Sequence, residues 1–452
     1  MTNWLGIGLF LVILTCLLIG LRLVQLGCSP QPEVLRKSMH VGMGLVALSF
    51  PLLFDASWPI LVLGMLSLGA MLALRTVKSL KGGVGTVVTG VERSSLGELY
   101  FPLAVGIQWL IYLYENESAE IRVLLYCIPL LLLTLADAVA ALVGVNYGSR
   151  RYPTSDGMKS AEGSLAFFLC AFLCVHVPLL LGSDTGRAET LLIGVLLALL
   201  AMMFEAISWG GLDNLFLPLV GHLLLRIYLR LSVVELEMRL VVTVALMLFV
   251  YLYRTRTTLA GSALMGACLV GYVSWALCGW RWMVAPLTVF LVYTLLSPRT
   301  EANSRRTHDI HAVLAVSAAG LIWLFLFRLL DQPEARFFYL FTLAFAAELA
   351  IIAVARLGYD YPHWPAGLLL AVCTLQGWGL LFVPYLLLDW SQPHCLACVL
   401  WALPAVALAA AGFYRTQPGV RDCPTDRPRW LRQAAHGALG SAVGLVPLYL
   451  LW

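Results

Sequence analysis

Asp137 stands inside an apolar run, Leu135-Ala-Asp137-Ala-Val-Ala-Ala-Leu-Val-Gly144-Val-Asn-Tyr-Gly148, and the next apolar run opens on Lys159-Ser-Ala-Glu162-Gly163. A carboxylate in an apolar helix is costly, and such residues mark functional sites by default. Asp137, Ala141, Gly144 and Gly148 fall at i, i+4, i+7 and i+11, which places them on one helical face. That face of small residues lets another backbone, a phosphate or a metal ion come close. Asp137 and Glu162, with Lys159 and the glycines, form a minimum set for Mg²⁺–nucleotide binding. Mg²⁺ takes one or two carboxylates plus phosphate oxygens, and lysine acts on phosphate as a point charge. The same residues also suit an ion pair between helices, Asp137 against Lys159, and spacing leaves both readings open.

Three other polar clusters accompany it. In Arg36-Lys37-Ser-Met-His40-Val-Gly-Met-Gly44, the residues Lys37, His40 and Gly44 share a face at i, i+3 and i+7. Anchoring of a span by basic residues accounts for Arg36 and Lys37, but not for His40 or the glycines. A glycine-rich loop, Lys81-Gly-Gly-Val-Gly85-Thr-Val-Val-Thr-Gly90, precedes Glu98 at the start of another apolar run. Backbone amides in such loops cradle phosphate, although interhelical loops are often glycine-rich without doing so. Finally, Glu205 lies inside a span, and Asp213 and Asn214 open the next one after Gly210-Gly211. Asp213 also suits a helix N-cap; Glu205 has no such explanation.

The elements that must position these residues are membrane helices. The chain has 452 residues, of which 61% are hydrophobic and 12% charged, against roughly 25% charged in soluble domains. The apolar runs are long and unbroken, unlike the short alternating segments of a barrel. The fold expected is therefore all-α: a polytopic transmembrane bundle in two halves. At roughly 20 residues per crossing, about 16 candidate spans run from 3–26 to 432–451. The eighth, 213–231, also suits a re-entrant or interfacial helix. The first begins almost at Met1 and reads as a retained span.

Loops 27–38, 75–98, 146–161, 254–258, 297–309 and 415–431 are basic, while those near 55–58, 115–120 and 183–189 are neutral or acidic. Strict alternation puts every basic loop on one side, which is the cytoplasmic side. All four polar clusters then fall at the cytoplasmic ends of their spans. The compact loops point to a bacterial plasma membrane. A net charge of +4 argues against nucleic acid as a partner. The eleven cysteines lie mostly in apolar runs and act as small hydrophobes. His394-Cys395-Leu-Ala-Cys398 has metal-like spacing but lacks a second pair. A soft boundary near 231–258 separates residues 1–235, rich in motifs, from 236–452, nearly bare of them.

Arg-Lys-x-x-His, Ser-x-Gly-Glu, Asp-x-x-Ala-x-x-x-Gly-x-x-x-Gly, Lys-x-x-Glu-Gly and Glu-x-x-x-x-x-x-x-Asp-Asn-Leu-x-x-Pro occur in that order over residues 36–218. The set resembles the CTP-dependent polyprenol kinase family, which includes phytol, farnesol and dolichol kinases. Ala136 stands where that family often has glycine. The resemblance implies an integral membrane enzyme that moves the γ-phosphate of a nucleoside triphosphate, usually CTP, to an isoprenoid alcohol. Asp137 and Glu162 would then hold Mg²⁺. Arg36, Lys37 and Lys159 would bind the triphosphate, with His40, Gly144, Gly148 and Gly163 also at the nucleotide. Glu205 or Asp213 would orient or deprotonate the hydroxyl, and Glu98 and Asn214 are further candidates. The prenol would enter sideways from the lipid bilayer.

Ser262 to Gly271, with Gly279-Trp280-Arg-Trp282, is similar to the start of the membrane family that includes phytyl-phosphate kinase. That family's later Asp-Thr-x-x-Ser-Glu-type segment is reduced here to Ala346-Ala347-Glu348, which implies a degenerate or scaffolding half. Glu348 is expected to pair with Arg356. Two other function classes stand beside the kinase. One is a phosphatidate cytidylyltransferase-like enzyme, which releases pyrophosphate rather than CDP. The other is a secondary transporter, which needs mid-membrane polar residues in both halves.

Overall fold

Apolar residues in unbroken runs leave backbone amides and carbonyls no partner except their own helix, and the chain is accordingly almost all helix. A computed structural model describes residues 3–28, 30–76, 97–154, 157–208, 210–296, 308–330, 332–391, 394–422 and 426–451. Two compact units divide between Ala245 and Leu246. Among the described residues, nine helices are long and apolar enough to cross a membrane, and three more apolar helices are shorter. About sixteen were expected. The helices that carry the polar clusters, such as Pro32–Leu48 and Asp213–Tyr228, are short, at 17 and 16 residues.

In the first unit the helices are α1 (Asn3–Cys28), α2 (Pro32–Leu48), α3 (Phe50–Leu53), α4 (Trp58–Thr76), α5 (Gly97–Tyr114) and α6 (Ala119–Leu131). A π-helical turn, Leu132–Ala136, joins α6 to α7 (Asp137–Tyr147) without a break. Then come α8 (Ala161–Gly182), α9 (Arg187–Ile207), α10 (Asp213–Tyr228) and α11 (Val233–Tyr253), whose residues 246–253 fall in the second unit. Lipid tails are as apolar as leucine, so packing rather than expulsion of water holds such helices together. One buried cluster joins Phe50, Phe54, Phe101, Trp109, Tyr126 and Leu133 from α3, α5, α6 and their neighbours. Its polar tips are satisfied internally: Trp109 Nε1 donates to Ala56 O at 2.9 Å and Tyr126 Oη to Ala47 O at 2.8 Å.

Among the described residues the expected all-helical chain departs into one β-hairpin and an isolated bridge between Leu259 and His308. Arg151–Thr154 (β1) and Gly157–Ser160 (β2) pair antiparallel, with Tyr152 opposite Lys159. Gly157 turns the hairpin with φ of 126°, a conformation that favours glycine. Lys159 therefore sits on a strand, not one helical turn before Glu162 as its spacing predicted. The α10 segment, for which a re-entrant or interfacial course was also open, is a helix with ten buried residues.

The second unit surrounds α15 (Glu334–Asp360), in which 19 of 27 residues are buried. Its other helices are α12 (Gly261–Cys278), α13 (Trp280–Leu296), α14 (Ile310–Leu329), α16 (Ala366–Asp389), α17 (Cys395–Thr416), α18 (Arg427–Val443) and α19 (Leu445–Leu451). Glu348, at the centre of α15, does not meet Arg356. Gln433 on α18 donates to its Oε2 at 2.8 Å, while Arg356 pairs with Asp360, one turn along its own helix, at 3.5 Å. Gly437 makes room for the carboxylate, since a Cβ there would strike it. Arg356 and Glu348 are eight residues apart on α15, too far for a direct pair on one helix.

Candidate active site

Three polar faces meet at one end of the first unit. On α2, Lys37 and His40 point at Asp137: Lys37 Nζ bonds Asp137 Oδ2 at 2.5 Å, and His40 Nε2 lies 3.7 Å from the same oxygen. All three are buried. Arg36 pairs with Glu33 on its own helix, at 2.6 and 3.1 Å. The ion pair left open above, Asp137 with Lys159, does not form.

Lys159 reaches α9 instead. Its Nζ bonds Glu205 Oε1 at 2.7 Å and also the Glu205 carbonyl oxygen. That carbonyl belongs to the last turn of α9, where it also accepts from Ser208 N at 3.3 Å and the helix dipole favours a cation. Burial alone would lower the Lys159 pKa. The Glu205 carboxylate, helped by Asp213 and Asp137, outweighs burial and holds it above the ordinary lysine value.

Gly210 and Gly211 follow α9 with φ of 61° and 85°. Two successive left-handed residues reverse the chain at little cost only if both are glycine. The reversal opens α10 at Asp213 beside Glu205. As a result, carboxylate oxygens of Asp137, Glu205 and Asp213 all lie within 4.8 Å of one another. Glu205 Oε2 is buried and has no hydrogen-bond partner among the described residues. Three hard oxygen donors from three elements, one of them orphaned, fit a small divalent cation such as Mg²⁺.

Glu162, expected to share that ion with Asp137, is turned away from it. Its carboxylate accepts from Ser149 Oγ at 2.5 Å, from Ser149 N at 3.2 Å and from Arg150 N at 3.2 Å. It sits in the first turn of α8 and ties down the loop that leads into the hairpin. The carboxylates gathered beside Asp137 are thus Glu205 and Asp213, and not Glu162.

The glycines lie where helices cross. A Cβ on Gly163 would be 3.0 Å from Ala140 O and 3.2 Å from Gly144 Cα, so α8 packs backbone to backbone on α7. A Cβ on Gly148 would be 2.8 Å from the Ser160 Cβ. Of the approaches open to that small-residue face, a neighbouring backbone is the one seen. Ser160 caps α8, accepting from Gly163 N at 3.1 Å. Asn214 donates to Gly97 O at 3.0 Å, tying α10 to the start of α5. The backbone of Glu98 is helical there, but its side chain and the whole loop 81–90 lie outside the described residues.

Sequence reasoning missed a second charged group. Glu115 accepts from Arg226 at 3.1 Å, with His222 3.5 Å away. Asp213 and Arg226 are thirteen residues apart on α10, about 20 Å along a helix, so this group lies near the opposite end. The available signal was the His222, Arg226 spacing of one turn on an otherwise apolar helix.

The chain is similar to a phytol kinase. It shares 29% identity over 222 residues with the phytol kinase of Synechocystis sp. (strain ATCC 27184 / PCC 6803 / Kazusa), spanning 49% of this chain and 90% of that protein. No family model matches the chain, and no solved structure matches it.

Proposed function

We propose that the first unit is a membrane lipid-alcohol kinase, which transfers the γ-phosphate of CTP or another nucleoside triphosphate to an isoprenoid alcohol such as phytol, farnesol, geranylgeraniol or a longer polyprenol. The observation that carries this reading is the meeting of Asp137, Glu205 and Asp213 between Lys37 and Lys159. The similarity to a phytol kinase supports it. Phosphoryl transfer needs positioning and charge neutralisation more than covalent chemistry. The three carboxylates are the groups that would hold Mg²⁺, which when bound neutralises phosphate charge.

Lys37 and Lys159 are already bound to anionic oxygens, and phosphate oxygens offer the same chemistry. In the transfer the alcohol oxygen bonds to the γ-phosphorus and the bond to the nucleoside diphosphate oxygen breaks. The hydroxyl proton goes to a carboxylate oxygen of Glu205 or Asp213 that does not hold the ion. The apolar chain stays in lipid, and the site faces the cytoplasm of a bacterium if the basic loops lie inside. The second unit is read as a degenerate, phytyl-phosphate-kinase-like scaffold, because Glu348 is enclosed and tied to Gln433.

One incubation tests the assignment: purified protein with radiolabelled CTP or ATP and a panel of phytol, farnesol, geranylgeraniol, undecaprenol and diacylglycerol. The expected products are a prenyl monophosphate and a nucleoside diphosphate. Asp137→Asn should abolish transfer while Glu162→Gln retains it. Release of pyrophosphate would make the protein a cytidylyltransferase instead, and normal turnover by Asp137→Asn would sink the site.

A further inference from the structure

Asp137 follows directly on the π-turn Leu132–Ala136. In an α-helix the Leu133 carbonyl accepts from the amide four residues on, which is that of Asp137; in a π-turn the ladder slips to the fifth residue. One residue of slip rotates everything after it by about 100°. The π-turn therefore decides which way the Asp137 carboxylate faces. Such turns are rare, and they are frequent at functional sites.

One face of α2 matches this turn residue by residue. Lys37 bonds the Asp137 carboxylate. One turn along, His40 Nε2 lies 3.0 Å from Leu133 O, the carbonyl displaced by the slip. A carbonyl only accepts, so Nε2 carries the proton and donates. One further turn along, Gly44 leaves the space filled by Thr134: a Cβ at Gly44 would be 2.7 Å from the Thr134 Cβ and closer still to its other atoms. Phe101 presses edge-on against the His40 ring, with centroids 4.9 Å apart, and fixes its plane.

The geometry points to His40 as a positioning residue: it holds the π-turn open through Leu133 O and so aims Asp137 at Glu205 and Asp213, rather than contacting nucleotide. The i, i+3, i+7 face of α2 is a template for the slipped turn. This inference rests on the metal-binding reading of the three carboxylates. It differs from the role expected above, in which His40 touches the triphosphate.

The test uses the purified full-length chain and Mn²⁺ as the probe, with binding followed by the electron-paramagnetic-resonance signal of free Mn²⁺. His40→Leu removes the donor, His40→Gln places an amide donor near the Nε2 position, and His40→Asn is polar but too short to reach. Leu and Asn should weaken Mn²⁺ binding about 10–100-fold, the range for lost supports of metal ligands, while Gln restores most of it. Where turnover is measurable, kcat and half-saturating Mg²⁺ should change in Leu and Asn while the nucleotide KM stays level. If Leu does not fold, the contrast between Gln and Asn carries the test. Equal Mn²⁺ binding in all variants, equal loss in Gln and Asn, a change confined to nucleotide KM, or no Mn²⁺ binding by the wild type would each overturn the inference. If the Mn²⁺ pattern holds but no alcohol is phosphorylated, the kinase assignment fails and the positioning role stands.

Discussion

The Lys37–Asp137 pair offers the sharpest energetic prediction. Its atoms are 2.5 Å apart, and the two side chains are only 5% and 10% exposed. Removing one partner of a buried pair leaves the other charge uncompensated, at a cost of about 3–5 kcal/mol, whereas replacing both with apolar groups is close to neutral. For Lys37→Met the cost should fall at the low end, about 3 kcal/mol, because His40 remains 3.7 Å from Asp137. For Asp137→Leu it should fall at the high end, about 5 kcal/mol, because Lys37 then loses the carboxylate 2.5 Å from its Nζ. The double variant Lys37→Met/Asp137→Leu should lose less than either single one. Equilibrium unfolding in mixed micelles, followed by tryptophan fluorescence, measures the cycle. Added salt should leave the coupling unchanged, since screening acts on exposed charges. Additive single costs, within about 0.5 kcal/mol, would mean that the two side chains act independently and would refute a buried pair.

Gly163→Ala should destabilise the protein by about 1–3 kcal/mol through overpacking against Ala140 O and Gly144, although glycine to alanine in an open helix gains about 1 kcal/mol; a raised melting temperature would contradict the tight crossing. Lys159 has a folded pKa above its ordinary 10.5, so its contribution is fully present below that value and lost as pH rises through the higher folded one. On raising the pH from about 8, the melting-temperature gap between wild type and Lys159→Met should thus stay level up to about pH 10.5 and close only above it; a gap already closed near pH 8 would remove the Glu205 clamp from the account.

Several features follow from residue type and period alone. The apolar composition dictates membrane helices, because unpaired backbone groups cannot be left in lipid. The Lys37, His40, Gly44 face and the Asp137, Gly144 face follow from the helical period, and both faces are used in the structure. Glu205 stands out because a carboxylate in a span is costly.

Partner choice is a different matter. Asp137 takes Lys37, a hundred residues away, and not Lys159; Glu205 and not Glu162 joins it; Glu348 takes Gln433 and not Arg356. The energy of an ion pair depends on distance and burial, and neither is set by sequence separation. Local rules also miss the slip at Leu132–Ala136, since an apolar stretch such as Leu-Leu-Thr-Leu-Ala has no sequence feature that distinguishes a π-turn from an α-turn. It forms where α2 supplies a donor for Leu133 O and a gap for Thr134. The residue types on the chain therefore determine that it carries costly charges in membrane helices. Only the packing of α2, α7, α9 and α10 decides which of those charges meet, because the slipped turn and the two-glycine reversal rotate Asp137 and Asp213 toward one point.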